Sequence, residues 1–282
     1  MSPTKSALRP VIRLAAALVA AAALLIPATA ATAVPAPASH AQPHGPLPTI
    51  VLEHGAWADA SSWSGVIARL QGDGYTVIAP PNPLRGLSSD SAYLSDVLAT
   101  ISGPIVLVGH SYGGAVITNA ATGDPNVKAL VYVDAFAPDQ GEIVNALAGA
   151  GSALAADPST LFDIRPYPGA AAGDADAYLK PSVFVNSFAQ DLPRSEALEL
   201  AATQRPIALS AGNEPSGVPA WKTIPSWYLV GMQDKIITPA SQLAMAQRAG
   251  SHIAKVNASH VSLISHPGAV VDLVESAVRA TD

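Results

Sequence analysis

Six short runs constrain this chain most: residues 49–53, 76–79, 105–108, 129–133, 226–230 and 253–256. Each is β-rich and close to continuously apolar, without the apolar–polar alternation of a strand that has one wet face. Strands buried on both faces read this way. Helical patterns lie between them, near 62–71, 89–101, 114–122, 240–248 and 269–280. Strand and helix repeated in this order predict an α/β fold, a mostly parallel sheet of about six strands with helices on both faces. The interval 139–224 breaks the rhythm. It is too long for a loop between two strands, and its segment 194–203, RSEALELAAT, has helical composition. A helical cap insertion is expected there.

The first 33 residues do not read as part of that fold. Lys5, Arg9 and Arg13 precede an Ala/Leu/Val run over 14–26, followed by the small-residue patterns Ala28-Thr29-Ala30 and Ala31-Thr32-Ala33. This is the pattern of a secretory signal peptide, and its apolar run is shorter than the roughly 20 residues that span a bilayer. The expectation is a secreted protein, extracellular or cell-wall associated, with no stable membrane anchor. A Pro/Ala-rich tether over 34–48 leads into a domain over 49–282. Loss of the leader leaves 12 basic against 21 acidic side chains, a net charge of −9 with His neutral. Such a surface disfavours nucleic acid and anionic lipid as partners. The chain has no cysteine, which excludes disulfides and thiolate metal sites. Its histidines and acids show no ligand spacing, so no metal is expected.

The chemistry concentrates in VLVGHSYGGA, residues 106–115. Gly109-His110-Ser111-Tyr112-Gly113 matches G-x-S-x-G between a strand and a helix. The turn is so tight that a side chain two residues before or after the serine would clash, so Gly109 and Gly113 are required. Ser111 is thereby lifted clear of the sheet as a candidate nucleophile, with helix N-terminal amides beside it.

HGAW at 54–57, GHSYGG at 109–114, GMQDKIITP at 231–239 and SHVSLISHP at 259–267 together resemble the α/β-hydrolase superfamily. They are most similar to its compact, cofactor-free branch of carboxylesterases, plant methylesterases and hydroxynitrile lyases. The resemblance runs from about residue 48 to the end, without the family's two N-terminal strands. It implies an acyl-transfer site needing no cofactor. The oxyanion would be held by the backbone N–H of Tyr112, after the nucleophile, and by that of Ala56. Asp234, which follows a strand and precedes a helix, matches the usual acid. Asp134, after another strand, is the alternative. The chain order Ser111, Asp234, His260 is the family's.

Two histidines compete for the role of base. His260 falls four residues past the last strand, at the carboxyl edge where catalytic groups of open parallel sheets gather. His266 precedes Pro267, and a residue before proline is pushed out of helical conformation. It therefore reads as a capping or packing residue at a helix boundary. His54 reads as structural, and His110 as a packing or local hydrogen-bonding residue. Glu53, an acid at the end of a buried strand, has no assigned role. Trp57, Phe184 and Phe188 are expected to wall an apolar substrate pocket.

The resulting expectation is a secreted serine hydrolase, cleaving a carboxylic ester or related acyl small molecule through an acyl-enzyme on Ser111. A hydroxynitrile-lyase-like enzyme and a ligand-binding receptor with little turnover are the alternatives. Against the lyase, Val261 stands where those relatives typically carry lysine.

Overall fold

The computed structural model describes residues 47–281. The expected leader, most of the tether and Asp282 lie outside the described residues. Four strands and the three helices between them follow the expected order. They are β1 (Thr49–Glu53), α1 (Ser64–Gly72), β2 (Val77–Ile78), α2 (Leu87–Ala99), β3 (Ile105–His110), α3 (Tyr112–Ala120) and β4 (Val127–Val133). The insertion then contributes α4 (Pro158–Leu161), β5 (Phe162–Arg165), β6 (Asp176–Leu179), α5 (Pro181–Val183), α6 (Arg194–Thr203) and β7 (Ile207–Ala208). The chain closes with β8 (Ser226–Gly231), α7 (Pro239–Arg248), β9 (His252–Val256), α8 (Ser262–Ser265) and α9 (Pro267–Thr281).

The main sheet has six parallel strands in the order β2-β1-β3-β4-β8-β9. Every residue of β3 and β8 is buried, so both faces of the sheet are covered there. α1 packs on α9, and α2 packs on α3. Two strand expectations need correction. β2 forms only over Val77–Ile78, two residues against the four expected. β9 is not a strand buried on both faces: His252, Ile253 and Lys255 are exposed, because among the described residues only β8 pairs with it. One strand of its sequence alone cannot reveal which strand takes the edge.

The insertion is not purely helical, which corrects the sequence reading. β5, β6 and β7 form a small antiparallel sheet. These strands have two to four residues, and Ala177 and Ala208 are weak strand formers. Pairing in three dimensions, not propensity, makes them strands. α6 runs over the expected ten residues. Ahead of it, Phe184–Phe188 winds into a π-helical turn, a form frequent at functional sites.

Candidate active site

The parallel sheet sends the carboxyl ends of β1, β3, β4, β8 and β9 to one edge, and the candidate residues sit on the loops leaving it. Ser111 follows β3 with φ 53° and ψ −124°, a strained conformation for a side-chain-bearing residue. A Cβ added to Gly109 would lie 2.7 Å from the Gly113 carbonyl oxygen, and one on Gly113 would lie 2.6 Å from the Glu53 oxygen. Both glycines are therefore held by contact with backbone, as the spacing anticipated.

Ser111, His260 and Asp234 form a hydrogen-bonded row. The Ser111 hydroxyl lies 2.8 Å from His260 Nε2, and His260 Nδ1 lies 2.7 Å from Asp234 Oδ2. All three residues are buried. The amides of Ile236 and Ile237 donate to Asp234 Oδ1 at 2.7 and 3.0 Å, and Gln242 Nε2 donates to Oδ2 at 2.7 Å. With three N–H donors on this carboxylate, the position facing His260 is left for the imidazole N–H. The proton then sits on Nδ1, and Nε2 is free to accept from Ser111. Burial pushes Asp234 up, while the amides of Ile236 and Ile237 and the side chain of Gln242 pull it down. Burial lowers His260 from its ordinary 6.5 to about 3, so the imidazole rests neutral.

The other candidates separate cleanly. Asp134 is fully buried with φ 45°, and it is Asp234 that bonds His260 Nδ1. Its Oδ2 accepts from the Ser262 amide at 3.1 Å, and burial, then the charge of Asp234, push its carboxyl well above the usual range. His266 is exposed and pairs with Ser265 Oγ at 2.9 Å. His54 Nε2 accepts from the Asn82 amide at 2.9 Å, which ties the β1 exit to the β2 exit. Burial lowers it to about 4. His110 bonds across the fold, not locally: its Nε2 donates to the His260 carbonyl at 2.7 Å. Glu53 is 1% exposed and neither carboxyl oxygen has a protein partner. Burial, then the charge of Asp90, push it well above the usual range. Burial thereby favours the neutral acid, which reconciles it with a buried strand end.

A cavity of about 270 Å³ opens above Ser111. Ala56, Trp57, Tyr112, Phe136 and Phe162 are among its walls, and among the described residues no Asp, Glu, Lys, Arg or His lines it. Tyr112 begins α3, where the first amides have no intrahelical acceptor. Its hydroxyl points elsewhere, donating to Asp90 Oδ2 at 2.9 Å. Trp57 joins sheet to cap: its Nε1 donates to the Ala177 carbonyl at 3.0 Å, and its ring stacks on Phe162 at 5.8 Å. The pocket assignment of Phe184 and Phe188 needs correction. They line a separate, narrow space of about 20 Å³, sharing Trp57 with the larger one. Both rings turn inward from the π-helical turn, and Phe188 packs edge-on against His260 at 5.0 Å. Phe136, on the β4 exit, was missed as a wall. Its place at a strand's carboxyl end was the available signal.

Comparison with known proteins follows the same lines. A sequence model of the Alpha/beta hydrolase family matches residues 50–273. A carbendazim hydrolyzing esterase from Nocardioides sp. is 36% identical over 114 residues, 36% of this chain and 47% of that one. The alignment thus spans about half of that relative's length. A pyrethroid hydrolase from Sphingobium wenxiniae is 27% identical over 245 residues, 80% of this chain and 85% of that one. The crystal structure of a pyrethroid hydrolase from Sphingobium faniae superposes with a TM-score of 0.66 at 21% identity, covering 83% of this chain and 98% of that one.

Proposed function

The chain belongs to the alpha/beta hydrolase family, and from that premise we propose that it is a secreted serine hydrolase cleaving a carboxylic ester of a small molecule. The observation that carries this reading is the Ser111–His260–Asp234 row at 2.8 and 2.7 Å, set beside an apolar cavity. The esterase and hydrolase names of the relatives support it.

In this proposal His260 Nε2 takes the Ser111 proton as Oγ attacks the ester carbonyl. The amides of Ala56 and Tyr112 hold the developing oxyanion. Asp234 fixes the imidazole tautomer and stabilises the imidazolium. His260 then protonates the leaving alcohol, and the acyl group stays on Ser111. Water, deprotonated by the same imidazole, attacks the acyl-enzyme, and collapse returns the proton to Ser111 with release of the acid. A cavity without ionisable side chains favours an uncharged, apolar group on the substrate.

Export rests on the leader over residues 1–33. A mature charge of −9 leaves small molecules, not nucleic acid, as the natural partners. The test is active-site labelling by a fluorophosphonate, followed by turnover on esters of graded acyl length. Ser111→Ala is expected to lose both labelling and turnover while melting like the parent. Labelling at another residue, or turnover in Ser111→Ala near the parent rate, refutes the mechanism.

A further inference from the structure

The loop that carries His260 is anchored on several sides. His110 holds the His260 carbonyl and Asp134 holds the Ser262 amide, both from strand exits of the main sheet. A further anchor comes from the cap. Asp191 follows the π-helical turn, and its carboxylate accepts from the Ser259 amide at 2.9 Å, from the Ser259 hydroxyl, and from the Ser265 hydroxyl at 2.8 Å. Those donors bracket His260: one residue lies immediately before it and the other five after.

The same stretch of cap also grips the loop of the acid. Gln190 Nε2 donates to the Gln233 carbonyl at 2.7 Å, and Lys235 Nζ donates to the Asn186 carbonyl at 3.0 Å. Gln233 and Lys235 are the neighbours of Asp234. Phe188 meanwhile packs against the imidazole ring. Six residues, 186–191, thus touch both sides of the His–Asp pair.

We infer that Asp191 is a positioning residue for the reaction, through which the cap holds the imidazole of His260 in register with Ser111. The inference rests on the serine hydrolase reading above. Hydrogen bonds to a carboxylate are shorter and stronger than neutral ones; two of them hold Ser259 in the irregular loop before α8, and the third holds Ser265 at the end of α8. Proton transfer tolerates little misplacement, since about 1 Å can cost on the order of a hundredfold in rate. A cap residue that only shaped the substrate pocket would act on KM. A residue that aims the base acts on kcat.

The experiment compares full-length parent, Asp191→Ala and Asp191→Asn on one ester substrate, with melting curves for each. Asp191→Ala is expected to lower kcat about ten- to a hundredfold, with KM little changed. Asp191→Asn should recover much of the loss, because its Oδ1 still accepts from the Ser259 amide and its Nδ2 can donate to a serine oxygen. A parental kcat in Asp191→Ala, or a change confined to KM, overturns the inference. If Asp191→Ala does not fold, the Ser259→Ala/Ser265→Ala pair removes two donors from the loop side, and a parental kcat there overturns it equally. The ¹H NMR signal of His260 Nδ1–H gives a readout independent of turnover. It should shift or broaden in Asp191→Ala, and an unchanged signal overturns the inference. A parent that neither labels nor turns over would instead defeat the hydrolase reading, with the NMR arm still deciding the role of Asp191.

Discussion

Glu53→Leu should stabilise this protein, and by more as pH rises. The side chain is 1% exposed at the end of β1, with both carboxyl oxygens lacking a protein partner. A buried polar group left unsatisfied costs roughly 1–3 kcal/mol, and leucine of similar size removes that cost. The pH dependence follows from the raised pKa. In the unfolded chain Glu53 releases its proton near the ordinary value of about 4.3. The folded chain holds it to a higher pH. Stability is therefore fully present below the unfolded pKa and falls by about 1.4 kcal/mol per pH unit above it, until the folded pKa is reached. Leucine has no such slope. Above pH 5 the stability gap between variant and parent should therefore widen by about 1.4 kcal/mol per pH unit, roughly 3–6 °C in Tm for a domain of this size, until the folded pKa is reached. Thermal melts of both proteins by circular dichroism at pH 5, 6 and 7 measure it, and titrations that do not couple to Glu53 cancel in the difference. A gap that stays constant with pH would mean that Glu53 is not held neutral. A gap that narrows would mean that the folded protein binds its charged form.

The two histidines of the last loop should behave oppositely. His260→Ala is expected to lower kcat about a thousandfold or more, whereas exposed His266→Ala should stay within about 0.5 kcal/mol of parental stability and near parental activity; steady-state kinetics and melts on both decide it. The proposed mechanism needs neutral His260, so kcat/KM should be lost as pH falls through its pKa, and burial places that limb below the ordinary 6.5. A pH–rate profile with its acid limb at or above 6.5 would contradict this. Expressed in an exporting host, the protein should appear in the medium with a mass beginning after Ala30 or Ala33, and a retained leader would refute secretion by cleavage.

Much of the site was legible because its signals are local. The elbow is written in Gly109 and Gly113, each barred from a side chain by backbone less than 3 Å away. His260 was selected over His266 by one proline and by distance from a strand end. Asp234 and Asp134 were harder to rank, since each leaves a strand on an equivalent loop. The register of β8 against β4 and the turn after it put Asp234 beside the imidazole. Asp134 instead turns to the Ser262 amide. Phe184 and Phe188 were misplaced for a related reason. Aromatic composition marks a residue for burial but does not say against which neighbour, and both rings line the narrow space beside Trp57, not the Ser111 cavity.

The sequence by itself determined the parallel sheet, the strained serine turn and the order of Ser111, Asp234 and His260 along the chain. Each depends on contacts within a few residues or on a strand's apolar pattern. Tertiary structure alone decided the antiparallel sheet in the cap, the exposure of β9, the bond from His110 to the His260 carbonyl and the grip of Asp191 on the base loop. The last two join residues 150 and 68 positions apart. At such separations nothing in the local pattern encodes the partner, and the packing of cap on sheet selects it.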